Sequence, residues 1–153
     1  MVRTLSLVEE TLYRFDRAIA PRGVCYAFFV SSKEPLTKEK LENAMDVLVN
    51  RHPLLRMCIC NINNKLTWKP MNSNKSTIYV NTREDVETII SNSLDLEFDL
   101  ENGPLWSLTL VPDVKSEFQE RRFRHHQALV FHSSHTIIDG LGRLCIDVIA
   151  RLN

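Results

Sequence analysis

The chain has 153 residues, 44% hydrophobic and 25% charged, with 4 Gly and 6 Pro; it is long enough for a core of its own, and its composition excludes a collagen-like, low-complexity or wholly disordered protein. Lys and Arg together number 19, as do Asp and Glu, so the net charge is zero and no long-range field draws in nucleic-acid phosphates or anionic lipid. Glu9 and Glu10 stand where a signal peptide needs its apolar stretch, and no window has the eighteen or so apolar residues of a spanning helix; the expectation is a cytoplasmic protein with no nucleic-acid partner and no membrane span.

From the N-terminus, residues 6–18 carry Leu7, Leu12 and Phe15 between charged residues, and Ser6 followed three residues later by Glu9 predicts a capped helix. After Pro21-Arg22-Gly23, the unbroken β-branched and aromatic run 24–30 predicts a strand covered on both faces, hence a central one. Residues 37–51 place Leu41, Ala44, Met45, Leu48 and Val49 on an i, i+3, i+4 stripe that stops short of Pro53, with His52 as a C-terminal cap. Runs 54–62 and 65–69 flank Asn63-Asn64 and predict a hairpin with a short asparagine turn, and 77–80 adds a strand.

Thr82-Arg83-Glu84-Asp85 has the form of a capping box that opens a helix with Val86, Ile89, Ile90 and Leu94 on its apolar face. In 105–111, Trp106, Leu108 and Leu110 alternate onto one side, and the apolar run 127–133 is expected to pair with it. Trp106, Phe28 and Phe29 fall on strand periodicity and are expected in the core. The charged segment 113–126, with Arg121-Arg122-Phe123-Arg124-His125-His126, reads as a solvated hairpin loop rather than a phosphate-binding patch. Leu141, Leu144, Cys145, Val148, Ile149 and Leu152 make a final helical stripe. Helix and strand are mixed, with too few crossover helices for an all-parallel sheet, so the fold class is α/β (α+β) with a mixed sheet.

Cys25, Cys58, Cys60 and Cys145 are too few for a disulfide framework, and Cys58-x-Cys60 lacks the spacing of a zinc pair, so all four read as reduced thiols in or near the core. The chemically informative stretch is 131–142, where a strand ends and a helix begins, a junction that favours functional groups. Histidine takes up and returns a proton near neutral pH, which makes His135 a candidate general base. Asp139, four residues on, has three open roles: orienting that imidazole, capping the helix that starts at Gly140, or pairing with an arginine. Rival chemistries fit less well. His132, His135 and Asp139 are ligand types without the spacing of a zinc helix; Ser133 and Ser134 lack the glycines of a nucleophile elbow; Gly140-x-Gly142 falls short of a phosphate loop. No metal is expected.

Ser134-His135-Thr136-Ile137-Ile138-Asp139-Gly140 resembles the H-H-x-x-x-D-G motif of the condensation domain and alcohol acetyltransferase superfamily, the chloramphenicol acetyltransferase-like acyltransferases. Asn50-Arg51-His52-Pro53-Leu54-Leu55-Arg56 is similar to its R-H-x-x-L-R segment, 98–105 to its F-D-L-x-x-G-P-L segment, and Arg3-x-Leu5-Ser6-x-x-Glu9 to the opening of the acetyltransferase branch. The matches keep the family's order over roughly 3–153.

The resemblance implies a two-layer mixed-sheet lobe of the chloramphenicol acetyltransferase-like fold, one of two lobes that enclose a tunnel. It implies that His135 deprotonates a hydroxyl, amine or thiol acceptor that attacks an acyl thioester. That thioester, on coenzyme A or on a phosphopantetheinyl carrier, is a co-substrate; no permanently bound cofactor is implied. Asp139 would be structural, through a salt bridge to arginine, and Gly140 would let the backbone approach substrate. Ser134 stands where the motif has its first His, a change the acetyltransferase branch tolerates better than peptide-forming condensation domains. On this reading 1–153 is a single N-terminal lobe with the second lobe absent. Its partners would be the thioester donor, a small-molecule acceptor and a C-terminal lobe or second chain. The alternative is a catalytically incomplete lobe that serves as a binding or assembly module, or a fragment that needs a second chain. A third reading is a metal-dependent hydrolase at His132, His135 and Asp139.

Overall fold

The computed structural model describes residues 2–18, 23–71, 77–115 and 122–140, the last three by their backbone. Over these, two sheets and three α-helices form. Strands β1 (Arg3–Thr4), β3 (Met57–Ile62) and β4 (Lys65–Pro70) make an antiparallel sheet in the order β1-β4-β3. Strands β2 (Val24–Ser32), β5 (Ile78–Val80), β6 (Trp106–Val111) and β7 (His125–Ser133) make a second sheet in the order β2-β7-β6-β5. That sheet is mixed: β5 runs parallel to β6, whereas the other pairs are antiparallel.

The helices are α1 (Leu7–Ala18), α2 (Lys38–Arg51) and α3 (Val86–Leu94). Leu41, Met45 and Leu48 of α2 enter one core with Ile59 and Trp68 of the β3–β4 hairpin and with Leu108, Leu110, Leu129 and Phe131 of β6 and β7. Val86 and Ile89 of α3 cover the opposite face of the four-stranded sheet, against Val111, Ala128 and Val130. Alternate residues of β7 thus enter different cores, and the strand is buried from Gln127 to Ser133. Thr37 caps α2 by accepting the Lys40 amide at 3.2 Å, and the His52 amide closes it on the Leu48 carbonyl at 2.8 Å. Asn63 and Asn64, at φ 52° and 61°, form the tight hairpin turn, which asparagine tolerates better than other side chains.

Several elements differ from their sequence reading. The run 24–30 is not a central strand: among the described residues β2 ends its sheet, and β7 holds the centre. Its two faces are both covered as the run predicts, Phe28 and Val30 packing on the main core and Cys25 and Ala27 on the second, although it lies at an edge. Phe29, expected in the core, is 50% exposed. The cap of α3 is Asp85, which accepts the Thr88 amide at 2.7 Å; the Asn81 side chain instead takes the Arg83 and Glu84 amides and turns the preceding segment. Residues Pro53–Arg56 are a 3-10 turn rather than the start of β3. The predicted helix over 141–152 lies outside the described residues.

In α1 the buried face is not set by the apolar residues. Leu7 is 82% exposed, while Glu9, Tyr13 and Asp16 form the buried face. A carboxylate is tolerated there because each finds donors. Glu9 accepts both Arg3 guanidinium nitrogens, at 2.5 and 2.8 Å, and the Ser6 amide at 2.6 Å. The Arg3 hydrogen bond is the main reason its carboxyl is pushed down to about 2, against burial, which works the other way. Because the folded value lies below the usual one near 4.5, the pairing stabilises the fold above that pH and is lost as pH falls toward 2. Glu9→Gln is expected to cost roughly 1–2 kcal/mol at neutral pH, allowing for the half-exposed arginine, and nothing near pH 2. Urea unfolding at both ends of that range checks it.

Cys25, Cys58 and Cys60 are free thiols. Burial pushes Cys25 up to about 11, only partly offset by a hydrogen bond from the Tyr26 backbone. Its thiolate fraction at pH 8 is therefore small, and its alkylation in the folded chain is expected to run roughly 10²-fold slower than after unfolding. Peptide mapping of a labelling time course measures this directly.

Candidate active site

The site is built where β7 ends. The Ser134 amide, the first past the strand, donates to the Leu105 carbonyl at 3.0 Å, and the chain then turns into the 3-10 segment His135–Gly140. Ile137, fully buried, roots that turn in the main core. Gly23, at φ +69°, lies so close that a Cβ there would stand 2.3 Å from the Ser133 carbonyl oxygen and 2.7 Å from the Phe98 ring. Phe98 in turn packs on the His132 imidazole with centroids 4.4 Å apart.

Helix α1 supplies the other wall. The Asp16 side chain is only 3% exposed and meets the motif with both oxygens. Oδ1 lies 2.5 Å from His135 Nδ1 and 3.3 Å from the His135 amide. Oδ2 accepts the Ser134 hydroxyl, the Thr136 hydroxyl at 3.0 Å and the Thr136 amide at 3.3 Å. Phe15, the preceding residue, sets its ring edge-on to the imidazole at 5.3 Å. The His135 side chain keeps 18% of its surface exposed, and its Nε2 has no hydrogen-bond partner among the described residues. A neutral imidazole with one nitrogen engaged and the other free is suited to taking a proton from a bound nucleophile.

The sequence-predicted residues fare unequally. Ser134 and His135 are brought together on Asp16, a residue that carries no signal in the apolar pattern of α1. The backbone of Asp139 and Gly140 continues the turn, and their side-chain roles lie outside the described part. His132 is buried on β7 against Phe98, and among the described residues no three His, Cys, Asp or Glu stand together as a metal site. The segment 98–105 does reach the site, through Phe98 on His132 and the Leu105 carbonyl on Ser134. His52 stays at the end of α2 as a backbone cap.

A groove of about 310 Å3 runs beside Asp16, walled by Arg17, Phe98, Asp99 and Glu101. A larger one of about 730 Å3, between Phe29, Ile90 and the segment after β6, has no motif residue in its wall. No helix among the described residues is long and apolar enough to cross a membrane.

No family model matches the chain, and no curated protein sequence does. Solved structures do. Holo-AB3403, a four-domain nonribosomal peptide synthetase bound to AMP and glycine, superposes with a TM-score of 0.74 at 17% identity, over 99% of this chain and 12% of that one. A mutant of the starter condensation domain of rhizomide synthetase RzmA gives 0.71 at 13% identity, over 97% and 36%. Another mutant of that domain, in complex with C8-CoA, gives 0.63 at 10% identity, over 88% and 31%. At such identities the likeness is one of fold. The chain spans about a third of the length of these condensation domains.

Proposed function

We propose, from the premise that this chain has a condensation-domain-like fold, that residues 1–153 form one lobe of an acyltransferase with His135 as its general base. The observation that carries the reading is the imidazole itself: Nδ1 is engaged by a buried carboxylate while Nε2 has no hydrogen-bond partner among the described residues, in the turn after β7 whose sequence resembles the family's motif. An acceptor hydroxyl, amine or thiol gives its proton to Nε2 as its heteroatom attacks the thioester carbonyl carbon. The C–S bond then breaks, and the departing thiolate takes the proton back. Since a thioester is already activated, a placed base and donors for the developing oxyanion are the main requirements.

The thioester is a co-substrate, acyl-CoA or an acylated phosphopantetheinyl carrier, in keeping with the C8-CoA held by one structural neighbour. No resident cofactor is needed. The acceptor is a small molecule, the compartment the cytoplasm, and the remaining partner a second lobe or chain, since the condensation-domain neighbours are about three times as long. Ser134 gives its hydroxyl to Asp16, which removes it as a nucleophile and makes it a support of the site, together with the backbone of Asp139 and Gly140.

The test is free-thiol release from a panel of acyl-CoA thioesters, by this chain alone and by a protein that carries it together with the rest of a condensation-domain length. Release by the longer protein, lost on replacement of His135, is the expected result. Silence from both, with binding to a partner retained, would replace the acyltransferase reading by that of a binding or assembly module.

A further inference from the structure

We propose that Asp16 is a positioning residue for His135: it holds the Nδ1–H, so that the neutral imidazole presents its lone pair at Nε2 and the protonated ring stays in place until the proton is returned. The inference rests on the base reading of His135 and adds to it a residue from a different part of the chain, 119 positions away.

The hydrogen-bond inventory carries the argument. An ionised carboxylate only accepts, and Asp16 meets five donor positions, all from three consecutive residues. Two are backbone amides and two are hydroxyls, each of which can point a hydrogen at the carboxylate. The fifth is His135 Nδ1, 2.5 Å from Oδ1, a separation that a ring nitrogen and a carboxylate oxygen keep only with a proton between them. The Nδ1–H tautomer follows from that network. The Ser134 and Thr136 hydroxyls and the Thr136 amide fix the second oxygen, which sets the plane of the carboxylate and, through it, that of the ring. Phe15 closes a flank of the imidazole from the same helix, so α1 contributes both the polar and the apolar restraint. The small side chain at Ser134 is part of the device, since its hydroxyl lies directly on Asp16.

The experiment uses the chain as it is, with 15N-labelled histidine, and reads the tautomer of His135 by two-bond nitrogen–proton couplings. The wild-type ring is expected to be the Nδ1–H form. In Asp16→Asn the side-chain amide can turn its NH2 to Nδ1, and the population is expected to move toward Nε2–H by about tenfold or more. Where the longer protein releases thiol, Asp16→Asn is expected to lower kcat roughly 10²-fold with KM nearly unchanged, the split of a residue that acts on the chemical step. A wild-type ring protonated at Nε2, or a tautomer ratio that Asp16→Asn leaves unchanged in a folded chain, overturns the proposal. The wild-type measurement decides this even if the variant does not fold. Thiol release that survives His135→Ala overturns the base reading instead, and leaves the tautomer result to stand by itself.

Discussion

In the longer protein, the proposed role of His135 as general base predicts that His135→Ala lowers thioester turnover by about 10²–10⁴-fold while the fold is kept, the range over which a general base acts. The fold should survive because the imidazole is not a core group. It keeps 18% exposure, and the Ser134 and Thr136 hydroxyls and the backbone amides of residues 135 and 136 remain on Asp16 after its removal. The stability cost is expected to be about 1 kcal/mol, that of a lost hydrogen bond to a charged group whose other donors persist. Thiol release and urea unfolding, run on the same preparation, separate the two effects. Turnover within a few-fold of wild type would show that the acceptor loses its proton without this ring. A loss of activity matched by a loss of folding would place His135 in the framework instead.

Gly23→Ala is the second large effect, and it acts on folding. At φ +69° any side chain is strained, and here the new methyl would stand 2.3 Å from the Ser133 carbonyl oxygen and 2.7 Å from Phe98 Cε2. Neither neighbour yields easily. The carbonyl belongs to the last residue of β7, paired with Val24 on one side and Trp106 on the other, and the ring is packed on His132. Strain and overpacking together are expected to cost about 3 kcal/mol or more, a large share of what a domain of this size has. The damage falls at the strand end that carries Ser134 and His135, so turnover in the folded fraction should drop as well. Equilibrium unfolding measures the first and thiol release the second. A variant within about 0.5 kcal/mol of wild type would mean that the close approach of these two segments does not govern the site.

Much of the framework was legible because its signals are local. The i, i+3, i+4 stripe and Thr37 determine α2, Asn63-Asn64 determines the β3–β4 turn, and alternation places Trp106, Leu108 and Leu110 on one face of β6. The end of β7 is local too, since the apolar run stops two residues before His135. The errors are of one kind. Continuous apolarity in 24–30 says that both faces of β2 meet something, yet not how many strands lie beside it. Thr82 and Asp85 are both good caps by type, and the choice between them was made by the side chain of Asn81, which had already turned the backbone.

Helix α1 marks the boundary most clearly. By itself its sequence determines a helix, through Ser6 and Glu9, and nothing about which face is buried, because hydrophobic pattern points to Leu7, Leu12 and Phe15. Burial of Glu9 and Asp16 becomes affordable only when Arg3 and the hydroxyls and amides of 134–136 arrive from elsewhere. The sequence alone could therefore single out His135 as a candidate, since its place depends on the strand just before it. Its partner Asp16 depends on packing α1 against a turn 119 residues away, and only the tertiary structure decides that, since a carboxylate's burial is settled by the donors that surround it and not by its neighbours in the chain.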